Sequence, residues 1–215
     1  MSELLALGVN HKTAPLALRE RLSLTEGRAV EALRELTDAG GIHEAAAIST
    51  CNRTELYLVV SDPVEAESTA LGVLTRQAEI RPTELLGHLY SLRAVEAAHH
   101  LFRVTAGLDS MILGEAEIQG QVRHAFELAL VEGATGPILN RLFRGALAAG
   151  GRVRERTGVG EKGLSIPSVA VELARRALGD LGERRVLVIG AGETAELVAR
   201  ALVARGVSTV FIANR

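Results

Sequence analysis

Residues 43–62 read HEAAAISTCNRTELYLVVSD. Two apolar runs, HEAAAIST and TELYLVVSD, flank a polar knot of Cys51, Asn52 and Arg53, and both runs read as strands. Asp62-Pro63 ends the second run. The knot holds the only cysteine of the chain, set between Thr50 and Asn52 with a cation next to it. A thiol serving only as filler is met more often among leucines.

On the N-terminal side of this hairpin, LLALGVN reads as a buried strand closed by polar turn residues. TEGRAVEALRELTDAGG reads as a helix: Thr25 suits its N-cap, Val30, Leu33 and Leu36 recur at helical spacing, and Gly40-Gly41 stops it. On the C-terminal side an amphipathic helix from about Val64 precedes a short strand around HLYSL. The order strand–helix–strand–strand–helix–strand predicts an α+β, ferredoxin-like domain. Three further helices are expected, in AVEAAHHLFRVTAG, GEAEIQGQVRHAFELALVEG and PILNRLFRGALAAGGRVRER. Pro137 fits a first-turn position, and Gly150-Gly151 marks a weak point in the third helix. TGVGEKGLSIPS is the expected linker, which divides the chain into residues 1–157 and 158–215.

Past the linker, SVAVELARRALGDLG reads as a helix, and RRVLVIGAGETAELVARALVARGVSTVFIANR as strand, glycine turn, helix and strand. The turn has the pattern G-x-G-x-x-A of a dinucleotide-binding, Rossmann-type α/β unit. Gly190 allows the tight turn, Gly192 lets backbone approach a pyrophosphate, and Ala195 lets helix and strand pack closely. Ala191, Glu193 and Thr194 complete the candidate phosphate loop at a helix N-terminus. A structural turn without a ligand is the competing reading. The second strand ends in Asn214 and Arg215, where an NAD site usually carries an acid for the ribose, so NADPH is the cofactor expected. An ordinary solvent-exposed arginine is the alternative for Arg215. The Rossmann unit is incomplete, because two strands leave an open sheet edge, and the chain is expected to be part of a longer protein.

Of the 215 residues 47% are hydrophobic and 23% charged, and the net charge is −2, as in a soluble globular protein. One cysteine excludes an internal disulfide and fits a reducing compartment, so a cytoplasmic location is expected. The N-terminus has too short an apolar run for a secretory signal, and no run approaches the roughly 20 residues of a membrane helix. No metal site is expected, since no His/Cys/Asp/Glu cluster has ligand spacing. The near-neutral charge argues against nucleic-acid binding by the whole surface and leaves room for a local patch. Residues 141–162 are such a stretch, either a contact for RNA phosphates or a solvated helix face.

A thiol that ionises beside a cation is a nucleophile; the competing reading of Cys51 is a small buried filler. With a nicotinamide nucleotide, a nucleophilic thiol suggests attack on an activated acyl group and reduction of the thioester to an aldehyde.

These parts come in one familiar order. ALGVNHKTAP, LRERL, STCNRTELY, HLFRVTAGLDSMILGE, IQGQV and VIGAGETAELVA resemble, in sequence and order, the N-terminal half of the glutamyl-tRNA reductase family. The resemblance implies NADPH-dependent reduction of glutamyl-tRNA(Glu) to glutamate 1-semialdehyde, the first step of C5-pathway tetrapyrrole synthesis. It implies Cys51 as nucleophile, with Thr50, Asn52 and Arg53 as substrate-binding neighbours, Arg53 pairing with the glutamate side-chain carboxylate. Ser110, Glu115, Ala116, Glu117 and Gln121 fall where further substrate contacts are implied, and His100 where an acid/base or orienting histidine is. Glu117 departs from the glutamine expected there. His99 and His100, about 100° apart on a helix, cannot both face one site. For His11 a structural role in a strand-end loop is expected, and His43, His88 and His124 are read as surface or core residues. The resemblance further implies a partner aminotransferase for the aldehyde and a homodimer in the full-length family. Two alternatives stand beside it: an NADP-dependent oxidoreductase of the shikimate-dehydrogenase type, which GAGETAELVARAL also resembles, and a chain that binds glutamyl-tRNA without reducing it.

Overall fold

The computed structural model describes residues 2–159 and 166–214. The chain divides into two compact units, residues 1–161 and 162–215. Half of the expected linker, residues 160–165, lies outside the described residues.

In the first unit β1 (Glu3–Asn10), β2 (Ile42–Thr50), β3 (Arg53–Val60) and β4 (Tyr90–Arg93) form a single sheet in the order β2-β3-β1-β4. Each neighbouring pair is antiparallel. Between β1 and β2 lie α1 (Leu16–Leu22) and α2 (Glu26–Asp38); between β3 and β4 lie α3 (Pro63–Ala78) and a 3-10 turn at Pro82–Glu84. The helices α4 (Ala94–Thr105), α5 (Glu117–Val131) and α6 (Pro137–Arg156) follow.

The helix starts are written in side chains. Thr25 accepts the Arg28 N–H, and the Asp62 carboxylate accepts those of Val64 and Glu65 at 2.8 and 3.2 Å with Pro63 in the first turn. Asp62-Pro63 therefore closes β3 and opens α3. The start of α6 is served from another element: buried Glu44 of β2 accepts the N–H groups of Ile138 and Leu139 at 3.1 and 2.7 Å. Two features differ from the sequence reading. The seven-residue α1 is an addition; its start has no side-chain cap, and it is held by burying Arg19 and Leu22. The helix α6 runs unbroken through Gly150-Gly151, where a Cβ on Gly150 would lie 3.0 Å from the Thr105 carbonyl oxygen. Close packing on α4, rather than a helix break, explains that glycine.

Every residue of β3 is buried, so the strand is covered on both faces. Side chains alternate along it. Thr54 donates to the Leu22 carbonyl of α1, whereas Tyr57 meets Phe143 of α6 edge-on at 5.7 Å between ring centres. Arg53, Glu55 and Tyr57 thus share the face toward the α4–α6 layer, where Phe126 stacks on Phe143. That face carries the site.

In the second unit α7 (Ile166–Leu178) precedes β5 (Arg185–Ile189), α8 (Glu193–Val203) and β6 (Thr209–Ala213), with β5 and β6 parallel. A small core of Val171, Leu181, Leu202 and Val207 holds them. Leu187, Ile189, Phe211 and Ile212 remain exposed. No helix among the described residues is long and apolar enough to cross a membrane, and no group of acidic, His or Cys residues among them could hold a metal.

Candidate active site

Cys51 and Asn52 turn the β2–β3 hairpin, whose last pair is Thr50 with Arg53. The Thr50 hydroxyl accepts the Asn52 N–H at 3.1 Å. Buried Arg19 of α1 ties the tip down, donating to the Cys51 carbonyl at 2.5 Å, to Asn52 Oδ1 at 3.2 Å and to the Ala14 carbonyl at 3.2 Å. Cys51 itself reaches the surface. Partial burial and the Glu115 carboxylate push its thiol up, against the opposing pull of Arg19. The cation serving the cysteine is therefore Arg19, and the expectation that Arg53 would help ionise the thiol is corrected.

Arg53 turns inward because strand alternation aims it at the α4–α6 face. Its Nη1 donates to Glu55 Oε1 at 2.6 Å and its Nη2 to the Asp109 carbonyl at 2.7 Å, while Asp109 Oδ2 lies 3.4 Å from both. Lys12 pairs with the other Asp109 oxygen. Arg53 Nε is buried without a partner. Glu55, 0% exposed, also accepts from Tyr57 (2.8 Å), Tyr90 (2.6 Å) and His100 Nε2 (3.0 Å). Burial opposes its charge, but the His100 hydrogen bond and Arg53 prevail and hold its carboxyl at about 2. Gly8, opposite Glu55 in β1, makes room: a Cβ there would lie 2.4 Å from the Thr54 carbonyl oxygen and 3.0 Å from Glu55 Cγ. An ionised Glu55 can only accept, so His100 Nε2–H is the donor in this hydrogen bond. His99 points to solvent.

The loop joining α4 to α5 brings Asp109, Ser110, Glu115 and Ala116 to this end of the sheet, and Glu117 opens α5. Arg154 of α6 clamps the loop through the carbonyls of Gly114 (3.0 Å) and Glu115. Gly114 has φ +79°, and a Cβ on it would lie 2.1 Å from the Val159 carbonyl oxygen. Glu115 is buried and its carboxyl is pushed up by burial and by Glu117. Ser110 is half-buried and Ala116 and Glu117 are exposed. Gln121 lies apart from this group, with Ser49, Glu26 and His124 around a cavity of about 330 Å³ between α2, β2 and α5.

In the second unit Gly190 (φ +113°) follows β5 and donates its N–H to the Ala213 carbonyl at 2.7 Å. Gly192 is the N-cap of α8 and offers no side-chain cap. A Cβ on either glycine would meet nothing within 4 Å, so backbone at the helix start is open to a phosphate. Gly190 and Asn214 share an open cavity of about 500 Å³ with Ile189 and Ala213. Ala191, Glu193, Thr194 and Ala195 occupy the turn and first helical turn, and Arg215 lies outside the described residues. The geometry fits a dinucleotide phosphate group.

Arg19, Glu55, Tyr90, Asp109 and Lys12 escaped the sequence reading. Of these, Glu55 had a signal: Arg53, Glu55 and Tyr57 recur at every second position, placing two charges and a phenol on one strand face.

Fold and site together define an α+β protein of two units, one presenting a cysteine hairpin above a buried ionic network, the other a glycine turn between parallel strands. A family model described as "Glutamyl-tRNAGlu reductase, N-terminal domain" matches residues 7–157, and one described as "Shikimate / quinate 5-dehydrogenase" matches residues 172–215. The chain belongs to the glutamyl-tRNA reductase family. It is 48% identical over 208 residues to the glutamyl-tRNA reductase of Rubrobacter xylanophilus, covering 97% of this chain and 48% of that protein. It is 45% identical over 218 residues to that of Deinococcus radiodurans, covering 99% and 58%. The solved structure of glutamyl-tRNA reductase from Methanopyrus kandleri matches with a TM-score of 0.65 and 37% identity, covering 99% of this chain and 49% of that one. The chain thus spans about half the length of these relatives.

Proposed function

We propose that this chain carries the acyl-transfer site, and the first part of the NADPH site, of an enzyme reducing glutamyl-tRNA(Glu) to glutamate 1-semialdehyde, which feeds tetrapyrrole synthesis. The observation that carries the reading is the lone Cys51 at an exposed hairpin tip, beside Glu115 and pinned by Arg19. The Cys51 sulfur attacks the ester carbonyl carbon, the bond to the tRNA ribose oxygen breaks, and the thiol proton leaves with that oxygen. Arg53 Nε is the guanidinium donor left for the glutamyl side-chain carboxylate. The glutamyl ammonium fits beside Glu115, since a cation there restores the charged form that burial disfavours. Its arrival also weakens the field that holds the thiol up. With Nε2 committed to Glu55, His100 keeps Nδ1 for orienting the acyl group or handling its proton. Thr50 and Asn52 hold the tip, with Ser110, Ala116 and Glu117 as outer substrate contacts, and Gln121, on the separate cavity between α2, β2 and α5, is not among them. NADPH, when bound, supplies the hydride that turns the thioester into an aldehyde. Gly190, Gly192 and the start of α8 receive its phosphates, with Asn214 near the ribose.

The first unit is read as ferredoxin-like on its strand order β2-β3-β1-β4, and the second as the opening of a Rossmann fold on its strand–glycine turn–helix–strand order. A cytoplasmic location, a homodimer and an aminotransferase receiving the aldehyde belong to the same reading. So does contact with tRNA phosphate: Arg141, Arg144, Arg152 and Arg156 lie along one exposed stripe of α6, and none of the four has a carboxylate partner among the described residues. By contrast Arg21, Arg34, Arg76, Arg81 and Arg93 are all paired with acids.

The match of residues 172–215 to the shikimate dehydrogenase model motivates a second reading, an NADP enzyme without thioester chemistry. Incubation with glutamyl-tRNA and NADPH, or with shikimate and NADP, separates the two. Aldehyde formed from the charged tRNA and abolished by Cys51→Ser supports the first. Shikimate oxidation that persists in Cys51→Ser overturns it.

A further inference from the structure

His11 follows β1, and its N–H donates to the Asn52 carbonyl at 2.9 Å, extending the β1–β3 ladder one step to the residue after the cysteine. The turn around it is complete without its ring. Lys12 N–H donates to Asn10 Oδ1 at 2.9 Å, Thr13 and Ala14 donate their N–H groups to the Asn10 carbonyl, and the Thr13 carbonyl is bonded by His88 Nδ1 at 2.6 Å. The His11 ring has no protein hydrogen bond among the described residues, and its Nδ1 is fully buried. A buried polar atom without a partner is a cost that an apolar ring filling the same space would not carry.

The surroundings say what would satisfy it. Burial first, then the charges of Arg53, Lys12 and Arg19 against that of Asp109, pushes the ring below the ordinary histidine range. The neighbouring Arg53 Nε is likewise buried and unpartnered. Two orphaned nitrogens, one from the turn after β1 and one from β3, in a cationic setting beside the hairpin tip, suit an anion with two oxygens. We propose that His11 is a substrate-contacting residue, its Nδ1–H donating to the glutamyl side-chain carboxylate alongside Arg53. This deepens the function proposed above and rests on it. Arg53 Nε can only donate, so a glutaminyl group turning its amide NH₂ toward that atom would leave it unmatched.

The test is transfer of a radiolabelled glutamyl group from charged tRNA to this chain without NADPH, measured against tRNA concentration for the wild type, His11→Ala, His11→Asn and His11→Gln. Asparagine places its amide near the position of Nδ1, and glutamine near that of Nε2. Loss of a hydrogen bond to a charged group predicts half-saturation raised about tenfold or more in His11→Ala, with the maximal rate changed far less. His11→Asn should restore most of the affinity and His11→Gln little of it. Circular dichroism shows that each variant is folded. Unchanged half-saturation in folded His11→Ala, or equal rescue by Gln and Asn, overturns the His11 contact while leaving the thioester reading intact. Absence of label on the wild type overturns both.

Discussion

Replacing Glu55 by glutamine removes the charge at the centre of the buried network and changes little in shape. In the folded chain the Glu55 carboxyl is held at about 2 against an ordinary 4.5, because the His100 hydrogen bond, Arg53 and Tyr90 outweigh its complete burial. At 1.36 kcal/mol per pH unit, that difference corresponds to about 3 kcal/mol of stability. The folded value lies below the unfolded one, so the contribution is fully present above pH 4.5 and is lost as pH falls from there toward 2. Glu55→Gln should therefore be less stable than the wild type by about 3 kcal/mol at pH 7, consistent with breaking a buried pair. The gap should narrow to about 1.4 kcal/mol at pH 3 and close as pH reaches about 2. Urea melts at several pH values measure this through tyrosine fluorescence. The chain has two tyrosines and no tryptophan, and both tyrosine hydroxyls donate to Glu55, so the signal reports on this unit alone. A gap that stays constant from pH 7 to pH 3, or one below about 1 kcal/mol at pH 7, would refute the assignment of Glu55 as the charged hub.

Two glycines should respond oppositely to alanine in the same melts. Gly114→Ala, with left-handed φ and the Val159 carbonyl in the way, should destabilise by about 2–4 kcal/mol, and Gly120→Ala, with open space in α5, should stabilise by about 0.5–1 kcal/mol. Glu115→Gln removes a charge that raises the Cys51 thiol, so alkylation by iodoacetamide at pH 8 should speed up by about two- to fivefold; Arg19→Met should slow it. Changing Arg141, Arg144, Arg152 and Arg156 to glutamine should lower the slope of log affinity for tRNA against log salt by about 0.7–0.9 for each arginine that meets a phosphate.

The elements around the site were legible where local rules decide. The runs on either side of Cys51 pair as β2 and β3, Thr25 caps the helix it was expected to open, Asp62-Pro63 ends β3 as expected, and the glycine turn lies between β5 and α8. What escaped depends on residues far apart in the chain. Arg53 was read as a cation for its neighbour Cys51, but its direction is set by strand alternation, and Asp109, 56 residues on, completes its contacts. The hub at Glu55 needs Gly8 across the ladder and His100 from α4, neither of which marks itself in the local sequence. The short α1 lacks a cap, yet it supplies Arg19, the residue that fixes the hairpin tip. Among the histidines, His99 and His100 face different ways and His43 and His124 lie at the surface as expected, whereas only the fold shows that the His11 ring is unused by its own turn.

The central claim is that Cys51 takes the glutamyl group from tRNA. Mixing the chain with radiolabelled glutamyl-tRNA, omitting NADPH, and assaying acid-stable label on the protein tests it most directly. The account predicts label that hydroxylamine or excess thiol releases and that is absent from Cys51→Ser. A folded chain that binds the charged tRNA but takes up no label, or label that survives in Cys51→Ser, would contradict it.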